Sequence, residues 1–403
     1  MLITPEITPG LYTPPPRRLL GPGPSEISTR VLQALAKPTI GYLDPSFVSM
    51  MEEIKSLMRY AFQTRNALTF PVSGPGSAGM EMCFVNLVSH GDKVIVCRNG
   101  VFGGRMVENV ERAGGIAVIV DDEWGKPVDP QKVEDTLKKH PDAKVLAFVH
   151  AETSTGACSD AATLCALARK AGCLTIVDAV TSLGGVPVLV EDWGADAVYS
   201  GSQKCLSCTP GLSPITFSDR AVQRVQARAQ RSQSWFLDLK LLLGYWGETT
   251  RTYHHTAPTN SLYALHEALL CLQQEGLENA WARHQRNHEA LKAGLEALDI
   301  GYLVEPHARL PQVNAVYVPQ GLDDKQTRAT LLADYGIEIG AGLGALAGKI
   351  WRIGLMGYSS RVENVIACLH ALEEVLRQQG RSVAHGVAVA AAYKAYARQA
   401  EQV

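Results

Sequence analysis

Between about residues 70 and 220, apolar positions gather into short β-branched runs at 93–97, 116–120, 145–150, 174–178, 195–200 and 214–217, separated by amphipathic stretches. Runs such as Val145-Leu146-Ala147-Phe148-Val149 are apolar throughout instead of alternating, the pattern of a parallel sheet covered by helices on both faces. A large α/β domain is expected. Ahead of it, Met50, Ile54, Leu57, Met58 and Ala61 recur at helical spacing and predict a helix over 47–62. Beyond residue 260 the rhythm changes to long helical stretches at 262–274 and 277–298, then short strands at 313–318 and 350–355. A helix over 362–376, with Val365, Ile366, Leu369 and Leu372 on one side, and an alanine-rich helical tail follow. The expected organisation is an N-terminal arm over 1–20, a large domain over 21–260 and a smaller α+β domain over 261–403, without internal repeats.

The 403 residues, 46% of them hydrophobic and 19% charged, are enough to bury a full core. A formal net charge of -2 gives no electrostatic reason to expect nucleic acid or an anionic membrane as partner, which leaves small molecules. Nine cysteines without regular spacing point to a reducing compartment. Cys205 and Cys208 have C-x-x-C spacing, but no second pair or His cluster completes a zinc site, so no metal is expected. The proline-rich stretch from Met1 to Leu20 resembles neither a signal peptide nor a membrane span, and residues 401–403 are not a peroxisomal signal. A cytoplasmic protein is expected.

Three features fall at or just beyond the carboxyl ends of predicted strands, where open α/β sheets bind ligands. Gly74-Pro75-Gly76-Ser77-Ala78-Gly79 opens a helix and can turn backbone N–H groups toward a phosphate, although such a turn is also an ordinary tight turn. It fits neither the Walker A pattern nor G-x-G-x-x-G. Asp178 ends an apolar strand; it can cap the following turn, or it can keep a pyridinium nitrogen protonated and make the ring an electron sink. Lys204 follows the next strand within Ser200-Gly201-Ser202-Gln203, small neutral neighbours that offer the amine no acidic partner. Desolvation favours the neutral amine that a Schiff base requires.

In these features the chain resembles the class V, fold-type I aminotransferases that use pyridoxal 5'-phosphate, in the group of alanine-glyoxylate, serine-pyruvate and ureidoglycine-glyoxylate enzymes. The likeness runs from Leu20-Gly21-Pro22-Gly23-Pro24 through Phe62-Gln63-Thr64-Arg65-Asn66, Glu152-Thr153-Ser154-Thr155-Gly156, Val177-Asp178-Ala179-Val180, Ser200-Gly201-Ser202-Gln203-Lys204 and Tyr253-His254-His255-Thr256 to Trp351-Arg352-Ile353-Gly354. It implies that Lys204 carries the cofactor and moves the substrate's α-proton, that Asp178 pairs with the ring nitrogen, and that Phe102 stacks on the ring. By the same resemblance Thr153 lies near the phenolic oxygen, Gly76, Ser77 and Gln203 contact the phosphate, and Tyr253 and Thr256 reach it from a second subunit of a homodimer. Arg352 matches the residue that grips the α-carboxylate, a task suited to a planar fork of donors; otherwise it would need a structural ion pair. Substrate is then expected between Arg352 and Gly23, with Gly41 and Tyr42 of the partner subunit closing the far side.

Ureidoglycine enzymes, by resemblance, carry a glutamine and an asparagine where this chain has Tyr42 and Tyr253, which favours alanine or serine as donor and glyoxylate or pyruvate as acceptor. Against this, the segments 41–47 and 356–359 and Cys205 resemble bacterial ureidoglycine-glyoxylate enzymes. Two other classes are a fold-type I lyase or desulfurase, which needs a mobile catalytic cysteine, and a cofactor-binding protein without catalysis, for which no DNA-binding segment is appended.

Overall fold

The computed structural model describes residues 3, 6–7, 10–247 and 251–400. Part of the expected arm and all of the tripeptide 401–403 lie outside the described residues. The apolar runs form one seven-stranded sheet, in spatial order Leu68–Ser73, Leu212–Phe217, Ala197–Tyr199, Leu174–Asp178, Val145–Val149, Lys93–Arg98 and Ile116–Asp121. The last five pair in parallel, whereas Leu212–Phe217 runs antiparallel to both of its neighbours. The fold is thus α/β with a mostly parallel sheet between helices, as expected. The edge strand Leu68–Ser73 was not anticipated by the apolar pattern, because Pro71 interrupts it; proline removes a ladder donor and is tolerated at an edge, where this strand lies.

Crossover helices cover the sheet. Gly76–Leu87 and Val101–Arg112 each start directly beyond a strand end and bury Met82, Cys83, Phe84, Met106 and Val110. The predicted early helix is Pro45–Phe62, started by Asp44, whose side chain accepts from Ser46 N–H, and ended at Gln63 in the left-handed region. Two large apolar clusters result, beside two small ones. The larger spans the sheet and takes in Leu262, Leu265 and Leu269 of the helix Thr259–Glu275. The smaller joins the helices Leu277–Ala297 and Val362–Gln378 to the three-stranded sheet that contains Ile350–Gly354.

A tertiary contact carries the end of the arm into this second cluster. Arg18–Leu19 pairs in parallel with Ile337–Glu338, and Leu20 is fully buried there. The chain then passes from Gly21 to Pro24 across the lysine, so the arm's end helps to roof the site. Among the described residues, no helix is long and apolar enough to cross a membrane.

Candidate active site

Lys204 is buried, with its Nζ donating to the Pro22 carbonyl, and no carboxylate pairs with it among the described residues. Burial, reinforced by the charge of Arg352, lowers its ammonium pKa to about 8. Gly23 has φ +108°, and a Cβ there would stand 2.5 Å from Nζ. Both backbone conformation and space therefore require glycine beside the amine.

Asp178 ends its strand in register with Tyr199 of the neighbouring strand. Its Oδ1 accepts the Val180 N–H at 2.8 Å and its Oδ2 accepts the Tyr199 hydroxyl at 2.8 Å. The turn-capping role considered from the sequence is thus present, yet it uses only one oxygen. Burial raises the carboxyl to about 7, against the pull of these two donors. Each oxygen retains acceptor capacity for a further donor.

Arg352 is also buried, in the strand Ile350–Gly354. Its Nε donates to the Ala341 carbonyl at 2.8 Å and one terminal nitrogen to the Thr153 carbonyl at 3.0 Å. Among the described residues no carboxylate lies within ion-pair distance, so the structural ion pair is not found. Burial lowers the guanidinium to about 10, opposed by the nearby charge of Glu152. A buried cation without an anion costs several kcal/mol, a cost that a bound carboxylate would offset.

Around this centre, Thr153 is buried with its hydroxyl bonded to that of Thr181. Gly76 starts a helix that lacks a side-chain cap, and a Cβ on it would lie 3.2 Å from Val180 Cγ2 and 3.5 Å from the Ser200 carbonyl. Ser77 is exposed beside it, and Gln203 Oε1 is buried without a partner among the described residues. Phe102 is half-buried at the next helix start, with the Arg105 guanidinium 4.8 Å from its ring centre. An amine without an acid, a carboxylate with spare acceptor sites, an uncapped helix start and an orphaned amide fit a phosphorylated pyridine aldehyde.

Four expected residues stand apart. Tyr253 is 55% exposed, Thr256 is exposed, and the two hydroxyls lie 3.3 Å apart. The Tyr253 ring lies 5.5 Å from that of Tyr42, and Gly41 is exposed with open space around it. Among the described residues none of the four makes a hydrogen bond or ring contact to Lys204, Asp178 or Arg352. The segment is anchored through His255, whose Nε2 lies 2.7 Å from Ser73 Oγ at the strand end before the glycine turn.

Two residues gained meaning only from tertiary structure. Glu152 is fully buried and takes N–H bonds from Ser154 at 3.0 Å, Phe102 at 3.2 Å and Gly103 at 3.4 Å, with the Ser154 hydroxyl at 2.5 Å. Burial raises its pKa against these donors. Tyr199 belongs to an apolar strand, and only its register against Asp178 distinguishes it from a packing residue. Cys205, by contrast, is buried with Sγ 3.5 Å from the Thr181 carbonyl, and burial pushes its thiol up to about 12. That leaves no mobile thiolate for sulfur chemistry.

Residues 27–365 match the family described as aminotransferase class-V. The (S)-ureidoglycine–glyoxylate transaminase of Bacillus subtilis is 37% identical over 96% of this chain and 97% of its own. The alanine–glyoxylate aminotransferase of Rattus norvegicus is 40% identical over 90% of this chain and 88% of its own. Among solved structures, the alanine–glyoxylate aminotransferase of Nostoc sp. is 46% identical with a TM-score of 0.90, covering 92% of this chain and 98% of that one. The ureidoglycine–glyoxylate aminotransferase of Bacillus subtilis is 38% identical with a TM-score of 0.94, covering 96% and 99%.

Proposed function

This chain belongs to the class-V aminotransferase family and is an aminotransferase dependent on pyridoxal 5'-phosphate, and within that family we propose that it moves an amino group between a small L-amino acid, alanine or serine, and glyoxylate or pyruvate. The supporting observation is the buried Arg352, which meets no carboxylate among the described residues and is close enough to lower the Lys204 pKa, with Gly23 against the amine: an anion site beside a reactive centre with little room. When bound, the cofactor supplies the carbonyl that takes up the amino group and a ring that stabilises charge as the α-proton leaves. Lys204 would hold it and, with its amine free, would carry the proton to and from the substrate's Cα. Arg352 holds the α-carboxylate so that Cα faces Lys204. Asp178 would keep the proton on the ring nitrogen, and Phe102 and Thr153 would help to hold the ring. The N–H groups at Gly76 and Ser77, with Gln203, would take the phosphate.

In this reading the active form is a homodimer. Tyr253 and Thr256 complete a neighbour's phosphate site, and Gly41 and Tyr42 close its substrate side. Their exposure, and the lack among the described residues of any hydrogen bond from them to the chain's own Lys204, support it. A second reading, (S)-ureidoglycine with glyoxylate, is favoured by the TM-score of 0.94 to the Bacillus enzyme. The tyrosines at 42 and 253 weigh against it, because their rings offer a ureido group fewer donors and acceptors than two amides would.

A donor panel with glyoxylate and with pyruvate, followed by the spectra of each half-reaction, decides between them. Alanine or serine is expected to give the highest kcat/KM. A ureidoglycine value about tenfold or more above both would replace this reading with the second.

A further inference from the structure

Tyr199 is fully buried at the end of the strand Ala197–Tyr199, level with Asp178 across a parallel pair. Its hydroxyl reaches the outer oxygen of that carboxylate at 2.8 Å, and it has no other hydrogen-bond partner among the described residues. We infer that Tyr199 is a positioning residue for the reaction, its hydroxyl holding Asp178 ionised and aimed at the cofactor's ring nitrogen. The inference rests on the assignment of Asp178 to that nitrogen.

The surroundings make such a donor consequential. Four titratable groups face the Asp178 carboxylate: Tyr199 from the adjacent strand, Lys204 beyond it, Glu152 from Ala151–Glu152, and Cys83 from the helix Gly76–Leu87. Lys204 favours the charged carboxylate, whereas burial and Glu152 oppose it. The Cys83 thiol is held neutral by burial and gives no charge to help. The balance therefore depends on the two hydrogen bonds, of which only the one from Tyr199 comes from a side chain. Burial and Asp178 together push the Tyr199 phenol well above its ordinary value, so it stays a donor over the working pH range. A phenylalanine keeps the ring and removes the hydroxyl with its donated bond.

The holoenzyme of Tyr199→Phe is expected to lose roughly tenfold in kcat while KM for the amino donor changes by less than about twofold. In the full-length protein freed of cofactor, the titration midpoint of the Asp178 carboxyl, followed by carbon-13 NMR, should rise. 3-Fluorotyrosine installed at position 199 keeps the ring and strengthens the donor, and should lower that midpoint. In an Asp178→Asn background, Tyr199→Phe should change the residual rate by less than about twofold. A folded Tyr199→Phe enzyme with unchanged kcat and midpoint, or an undiminished effect in the Asp178→Asn background, overturns the inference. If Tyr199→Phe does not fold, an unmoved midpoint with fluorotyrosine overturns it. Full activity and cofactor retention in Asp178→Asn alone would instead remove the assignment of Asp178 on which it rests.

Discussion

Arg352 brings a full charge into an apolar strand and spends two of its donors on main-chain carbonyls. Those bonds fix the plane of the guanidinium, so a lysine in its place keeps the charge but loses the orientation. Arg352→Lys should lower kcat/KM for the amino donor by roughly 30-fold, about 2 kcal/mol, chiefly through KM. An equal loss with an amine donor that lacks a carboxylate would show that the arginine does not grip that group. Asp178 gives a pH test with a defined sign. Its carboxyl is raised to about 7 in the folded, cofactor-free chain, so the folded state keeps a proton that the unfolded state releases near pH 3.9. Stability on this account is greatest at low pH and falls as pH rises toward 7. Asp178→Asn should therefore raise the melting temperature of cofactor-free protein more at pH 8 than at pH 4.5, a range set by about 4 to 7. A difference that stays constant with pH would contradict the burial argument.

Among the elements, the helix Val101–Arg112 begins at Gly100, which has no side chain to cap it. Acceptors come instead from a distant segment: Ser154 Oγ takes the Val101 N–H at 3.0 Å, while Glu152 takes those of Phe102 and Gly103. A buried carboxylate at a helix start stabilises it through the dipole and the free N–H groups. Glu152→Gln, which turns an amide toward those donors, should cost about 1 to 2 kcal/mol in unfolding free energy and loosen Phe102 enough to speed cofactor release. Denaturant melts and dialysis measure the two effects; release as slow as wild type in a destabilised variant would separate the cap from the ring. None of this was legible in one dimension. The strands and the helix Pro45–Phe62 were legible because their apolar spacing is local, whereas Leu68–Ser73 was hidden by its proline and the Arg18–Leu19 strand by having its partner over 300 residues away.

For the whole molecule, Tyr253 and Thr256 make no hydrogen bond to Lys204, Asp178 or Arg352 among the described residues, and the proposed homodimer would bring them to a neighbour's site. Mixing a Lys204→Ala subunit with a Tyr253→Phe, Thr256→Ala subunit should then restore part of the activity, since one of the two sites in the mixed dimer carries no lesion. Different affinity tags on the two subunits, used in sequence, isolate and verify the mixed species. No recovery in verified mixed dimers, with each parent inactive, would overturn the shared site.

The sequence by itself determined the α/β class, the family, and the positions of Asp178 and Lys204, because strand periodicity and strand-end chemistry are local and leave their mark within a few residues. It left open whether Arg352 met a carboxylate, which partners the two oxygens of Asp178 had, and what Tyr199 and Glu152 lay against. Those depended on pairing register and on burial among segments far apart in the chain. Only the folded chain decided them, since a side chain's charge and partners are set by the neighbours that tertiary packing brings within hydrogen-bonding distance.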